Sequence, residues 1–232
     1  MSPGNRLETG TAILTAARRA DVRLIKARLM KFERANKAYA DAQRRVEAAE
    51  AALGARQARL NERDVEQDQA VDALARALIA DGLPRRNPFQ VFGGPPPATV
   101  MRLPFGDEAK EIRRLAVTIR GNKTRSQPTL LATQAAVRAA KAVDQALAPV
   151  ARAEGAVRDA RHKRDALAQS WESALSALKR GTRSAGDEGA PQLYGDLFGR
   201  RARNGSREAK PAPSPVPPAP EPVPAPVAVS GS

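Results

Sequence analysis

No proline interrupts the chain between Leu7 and Asp81. A stretch of that length without proline can form one continuous helix, on the order of 110 Å long at ~1.5 Å per residue. Its bulky residues recur seven apart, at Ile25, Phe32, Tyr39, Val46, Leu53, Leu60, Gln67 and Leu74. Alanine follows three residues later at Ala35, Ala42, Ala49, Ala70 and Ala77, with Arg28, Arg56 and Arg63 interrupting the small positions. Large residues at a spacing of seven with small ones between them describe a coiled-coil seam.

A second segment repeats the design from Pro128 to Lys179, with Val143, Val150, Val157, Arg164, Trp171 and Leu178 as the large positions. Ala139, Ala146, Ala153, Ala160 and Ala174 are the small ones. Two such seams suit a close antiparallel pair, bulk from one helix lying over alanine of the other. The expected fold is therefore all-α, a long antiparallel helical hairpin built as an alanine-rich coiled coil. Pro149 and Gly155 predict a bend in the second helix. The same seam could instead close between chains, so self-association stays open.

The remaining boundaries follow from proline, glycine and polarity. Residues 1–6 read as a flexible start, 7–83 as the first long helix, and 84–127 as a Pro/Gly-rich connector. A short helix at about 107–120 lies within that connector, with Asp107 and Glu108 in its first turn, where the helix dipole favours acids. The second long helix takes 128–180, and 181–209 is a linker holding a short docking-like segment at 191–199. From Lys210 the chain is Pro-Ala-Pro-Ser-Pro-Val-Pro-Pro and similar to residue 232. Such a sequence cannot bury a core and is expected to be a disordered, polyproline-like tail. It can serve as a bare linker, as a ligand for a proline-reading domain or as a solubilising extension.

Charge tests the hairpin independently. Residues 18–45 hold ten Lys or Arg against three Asp or Glu, whereas 46–83 hold four against eight. Residues 107–150 hold eight against four. An antiparallel hairpin lays that basic stretch beside the acidic half of the first helix, which argues for orientation more than stability.

Composition narrows the function. Only 3% of residues are aromatic, so no thick globular core is expected. Cysteine is absent, which removes disulfides, thiolate metal sites and cysteine nucleophiles. No apolar run is long enough to cross a bilayer and the first residues lack a signal-peptide pattern, so a cytoplasmic location without membrane insertion is expected. The net charge of +14 favours acidic partners.

Three surfaces stand out. The first is basic, made by Arg18, Arg19, Arg23, Lys26, Lys31 and Arg34 with Arg161, Lys163 and Arg164, and could follow a phosphate backbone without base specificity. Its bland reading is a solvated coiled-coil flank. The second is the apolar connector, where Phe89 and Phe92 either dock a partner or cap the hairpin. Capping is favoured because so apolar a loop is costly to expose. The third is Leu193, Tyr194, Leu197 and Phe198, which share one side of a helical turn and read either as a docking peptide or as packing against Trp171.

Catalytic chemistry is not legible. His162, the lone histidine, sits between Arg161 and Lys163, a poor setting for a general base. Asp64, Asp68 and Asp72 share a helix face, and such rows are usually solvated or salt-bridged. Gly121-Asn122-Lys123-Thr124 lacks the glycines of a phosphate loop. The expectation is a non-enzymatic scaffold or adaptor without cofactors that serves protein partners. Non-specific nucleic-acid binding through the basic surface is the alternative.

Overall fold

The computed structural model describes residues 1–122 and 124–199. The Pro/Ala tail expected at 210–232, and the part of the linker from residue 200 on, lie outside the described residues. Within them the protein is all-α. Helix α1 spans Pro3–Ala17, α2 Lys26–Ala80, α3 Pro97–Val100, α4 Phe105–Gly121, α5 Gln127–Asp187 and α6 Leu193–Phe198.

Helices α2 and α5 form the rod, roughly 80 and 90 Å long at ~1.5 Å per residue. They pack antiparallel within one chain. Trp171 Nε1 donates to Asn36 Oδ1 at 2.9 Å, Arg164 Nη1 donates to Gln43 Oε1 at 3.2 Å, and the Ser126 N–H donates to Asp81 Oδ2 at 3.2 Å. The residue numbers of all three pairs add to the same total, so the register holds from one end to the other. On α2 every large seam position between Phe32 and Leu74 is buried except Leu53, which is half-buried, whereas of the small positions Ala42 is buried, Ala35, Ala49, Arg63 and Ala70 are half-buried and Arg56 is exposed. On α5 Val143, Val157, Trp171 and Leu178 are buried, while Val150 and Arg164 are half-buried.

The end we call the base differs from the sequence expectation. Helix α1 already starts within residues 1–6, where Ser2 caps it by accepting from the Asn5 N–H at 3.3 Å, with Pro3 at the first helical position, where its missing N–H is harmless. Nor is 7–83 one helix. The chain turns back between Arg18 and Ile25, where the Asp21 carboxylate accepts from the Arg23 N–H at 3.1 Å. Asp side chains compete in this way with helical hydrogen bonds. Helix α1 then lies antiparallel on α2, with Gly10 against Asn36; a methyl group at Gly10 would overlap the Asn36 side chain.

Helix α5 also outruns its expected end at residue 180. Gly181 is buried beneath the Arg28 side chain, so it serves close approach and does not end the helix. The helix also continues through Pro149. Ile13, Ile25, Phe32, Tyr39, Trp171, Leu178, Leu193 and Leu197 make one apolar cluster at the base.

The opposite end, the tip, is a three-helix bundle. Gly106 lies near Leu147 and Arg113 pairs with Asp144, which runs α4 antiparallel to α5 and parallel to α2. The connector must therefore descend along the rod before α4 climbs back. Phe89, Phe92, Val100, Ile112, Leu115 and Ile119 bury against Val71, Leu74, Leu78 and Ala136. Below α4 the rod is only two helices thick, with Ala42, Val46 and Val157 as its buried apolar side chains, while Leu60 and Val143 lie at the level where α4 begins.

Candidate interaction surfaces

The predicted basic surface is divided. By the α2–α5 register, Arg161, Lys163 and Arg164 lie beside residues 43–46, well up the rod from Arg18 and Arg19. Arg161 Nη2 donates to Glu50 at 2.6 Å across the helices. Arg164 is engaged with Gln43 and with Asp165 at 2.8 Å. Lys163 shares a shallow depression with Arg45, Asp41 and Asp159. At the base, Arg23 is held by Asp21 at 2.6 Å, and that contact keeps the Asp21 carboxyl below its usual range. Arg18, Arg19, Lys26, Lys31 and Arg34 are exposed and have no ion-pair partner among the described residues. Of the predicted surface, the cations left without an ion-pair partner are thus mainly basal, Arg18 and Arg19 in the turn after α1 and Lys26, Lys31 and Arg34 at the start of α2, with Lys163 alone up the rod.

Phe89 and Phe92 are 0% and 4% exposed, so the tip aromatics cap the hairpin. Asn87 closes this turn from both sides, accepting from the Phe89 N–H at 3.1 Å and donating to the Gly94 carbonyl at 3.1 Å. Arg114 donates to the carbonyls of Phe92 and Gly93 at 3.2 and 3.1 Å, which ties the turn to α4.

Beneath the cap is a feature the sequence reading missed. Glu108, from the first turn of α4, is 1% exposed and faces Gln67 and Asp68 of α2. Gln67 is 0% exposed. Both of its amide atoms, Glu108 Oε1 and Asp68 Oδ1 are buried without a hydrogen-bond partner. Burial first, then the charges of Asp68 and Asp64, push the Glu108 carboxyl up to about 7, against a lowering by Gln67. Burial also raises Asp64 and Asp68. The expected solvated or paired face holds for Asp72, which meets Arg76 at 3.8 Å, and only in part for the half-buried Asp64 and Asp68. Among the described residues no group of three or more His, Cys, Asp or Glu is arranged to hold a metal ion.

The segment 191–199 lies on the base. Leu193 and Leu197 are buried in the cluster with Ile13, Trp171 and Leu175, as the packing alternative anticipated. Tyr194 and Phe198 are half-buried, their ring centroids 5.1 Å apart. Lys179 Nζ lies 5.7 Å from the Phe198 centroid and the Arg183 guanidinium 5.0 Å from that of Tyr194. The two rings border a groove of about 510 Å³ between α1, α5 and α6.

No family model, curated protein or solved structure matches this chain. Among the described residues no helix is long and apolar enough to cross a membrane.

Proposed function

We propose that the protein is a non-enzymatic, cytoplasmic spacer or adaptor that holds protein partners apart at the two ends of its rod. The observation that carries this reading is the separation of two apolar clusters by a two-helix stalk whose register is held by side-chain pairs. A rod of fixed length with differently built ends suits the positioning of partners. Photo-crosslinkers placed in the cell at Val91 on the tip and at Leu24 on the base, 59% and 52% exposed, test it. Different proteins captured at the two ends are the expected result. The same protein at both ends, or none at either, overturns the reading.

Non-specific nucleic-acid binding is the second reading, supported by the five unpaired basal cations Arg18, Arg19, Lys26, Lys31 and Arg34. It requires retardation of DNA or RNA that weakens steeply as salt rises, because each phosphate contact releases counterions. Absence of retardation at low salt removes it.

A further inference from the structure

Beyond the spacer reading, we infer that the rod carries an anion site midway along its length, where Arg56, Arg59 and Arg63 of α2 bind a short chain of linked phosphates, either free polyphosphate or the phosphate tail of a nucleotide. The three arginines line one wall of a recess of about 480 Å³, and Ala142, Ala146 and Pro149 of α5 form the other. The recess lies on the flank turned away from α4, whose Gly106 and Arg113 meet Leu147 and Asp144 on the other side of α5. A ligand held here leaves the tip and the base free.

Arginine is out of place at these positions. Residues 56 and 63 are small positions of the α2 seam, which alanine fills at 35, 42, 49, 70 and 77. Arginine also interrupts that series at 28, but there Gly181 makes room beneath its side chain. Arg56 is exposed and the Arg63 side chain is 35% exposed, so the long stems carry their charged heads out of the seam and into the recess. Residues 46–83 hold only four basic side chains, and three of the four are these arginines. They stand in the acidic half of α2 and work against its charge match with the basic stretch of α5. Like charges gathered so closely repel, and a bound anion removes that cost.

The arginines are also largely uncommitted. Arg63 Nη1 donates to both Glu66 carboxylate oxygens, whereas Arg56 and Arg59 have no ion-pair or hydrogen-bond partner among the described residues. No carboxylate lines the recess. Guanidinium forks engage phosphate oxygens two at a time, and the cluster is short. Arg56 and Arg63 lie about 10 Å apart along the helix at ~1.5 Å per residue. On α2 the run ends there, because Glu66 follows Arg63 and the next depression toward the base mixes Arg45 and Lys163 with Asp41 and Asp159. A long nucleic-acid strand needs cations that continue along its path, and a short phosphate chain does not. No aromatic side chain lines the recess, so no base can stack in it and recognition stops at the phosphates.

Sodium tripolyphosphate and magnesium-free ATP, titrated separately into the full chain and followed by calorimetry, test the inference. Both should bind. Tripolyphosphate that binds at least as tightly as ATP assigns the site to free polyphosphate, and tighter ATP assigns it to a nucleotide tail. ATP binding without tripolyphosphate binding overturns the inference, as does oligoglutamate that binds as tightly as tripolyphosphate, or no binding at all. Arg56→Gln with Arg59→Gln should weaken binding by roughly tenfold or more, because two charged donors are lost. Arg85→Gln with Arg86→Gln removes the same charge from exposed side chains at the tip and should leave binding unchanged. Equal weakening in the two double variants would reduce the effect to the field of the whole chain and overturn the site. Arg56→Ala restores the alanine of the seam, so it should weaken binding several-fold while the thermal unfolding midpoint holds. A midpoint that falls along with binding would make Arg56 a structural residue instead.

Discussion

The two ends of the rod bury similar apolar clusters but treat their polar groups in opposite ways. At the base, polar side chains meet partners. Trp171 donates to Asn36, and Arg6 spans Glu172 at 2.6 Å and the Tyr39 hydroxyl at 3.4 Å. At the tip, buried Gln67 and Glu108 and half-buried Asp68 face one another, yet both Gln67 amide atoms, Glu108 Oε1 and Asp68 Oδ1 lack a well-aligned hydrogen bond. Buried polar groups in native proteins are nearly always satisfied, and a half-satisfied cluster stabilises less than an apolar one. The base is thus fixed by complementary pairs, while the tip buries a carboxyl whose surroundings favour its protonated form.

The largest expected effect tests whether the ends are separate units. Trp171 is fully buried, 5.6 Å from the Phe32 ring, and supplies the donor for Asn36. Trp171→Ala should cost about 3–5 kcal/mol, as large aromatic truncations in cores do, and the loss should be local. Hydrogen exchange would show α1 and α6 losing protection while α4 keeps its own. Equal loss at α4 would mean that the two-helix stalk couples the ends, and the comparison would fail.

The next effect concerns pH and belongs to the tip alone. The folded state holds the Glu108 proton to about 7, against an ordinary value of 4.5. A raised carboxyl contributes its stability fully below about pH 4.5, loses it as pH rises through 7, and adds nothing further above that. The shift corresponds to about 3 kcal/mol across the window. Urea unfolding of the natural chain should therefore show a less stable tip at about pH 8 than at about pH 5, with α4 amides the first to exchange. Glu108→Gln keeps the shape without the charge and should flatten the profile across that window, leaving a shallower slope from Asp64 and Asp68, both also raised. An unchanged slope in Glu108→Gln would show that the carboxyl is hydrated in solution.

The rod was legible because a spacing of seven over so many turns admits few other structures. Ile25, Phe32, Tyr39, Val46, Leu60 and Leu74 are all buried as that spacing required. The turn at 18–25 was not legible, because it contains no proline or glycine. Its signals were weaker: the seam stops at Ile25, and Gly10, Ile13 and Ala17 form a buried stripe of their own in a different phase. Gly181 misled for the opposite reason, since a glycine demanded by close packing reads like a helix end until the Arg28 side chain above it is known. Glu108 was placed in the first turn of α4 from sequence, yet its burial depends on the connector carrying α4 back along the rod. Spacing within one segment cannot report that approach.

The smallest effect sharpens what kind of polar contact fixes the base. The Arg6 side chain is 13% exposed while that of Glu172 is 51% exposed, and the Arg6 guanidinium also lies 5.7 Å from the Tyr39 ring centroid. An ion pair with one partner half in water contributes little, whereas an arginine laid on an aromatic face also contributes through packing and cation–π attraction. Arg6→Ala should therefore destabilise the base by about 1 kcal/mol, and Glu172→Ala should have no resolvable effect. The Arg6→Ala loss should also persist in high salt, which screens exposed charges but not the ring contact. If the two single variants lose equally and the loss vanishes with salt, the α1 latch is electrostatic, and the base would then be salt-sensitive where the tip is pH-sensitive.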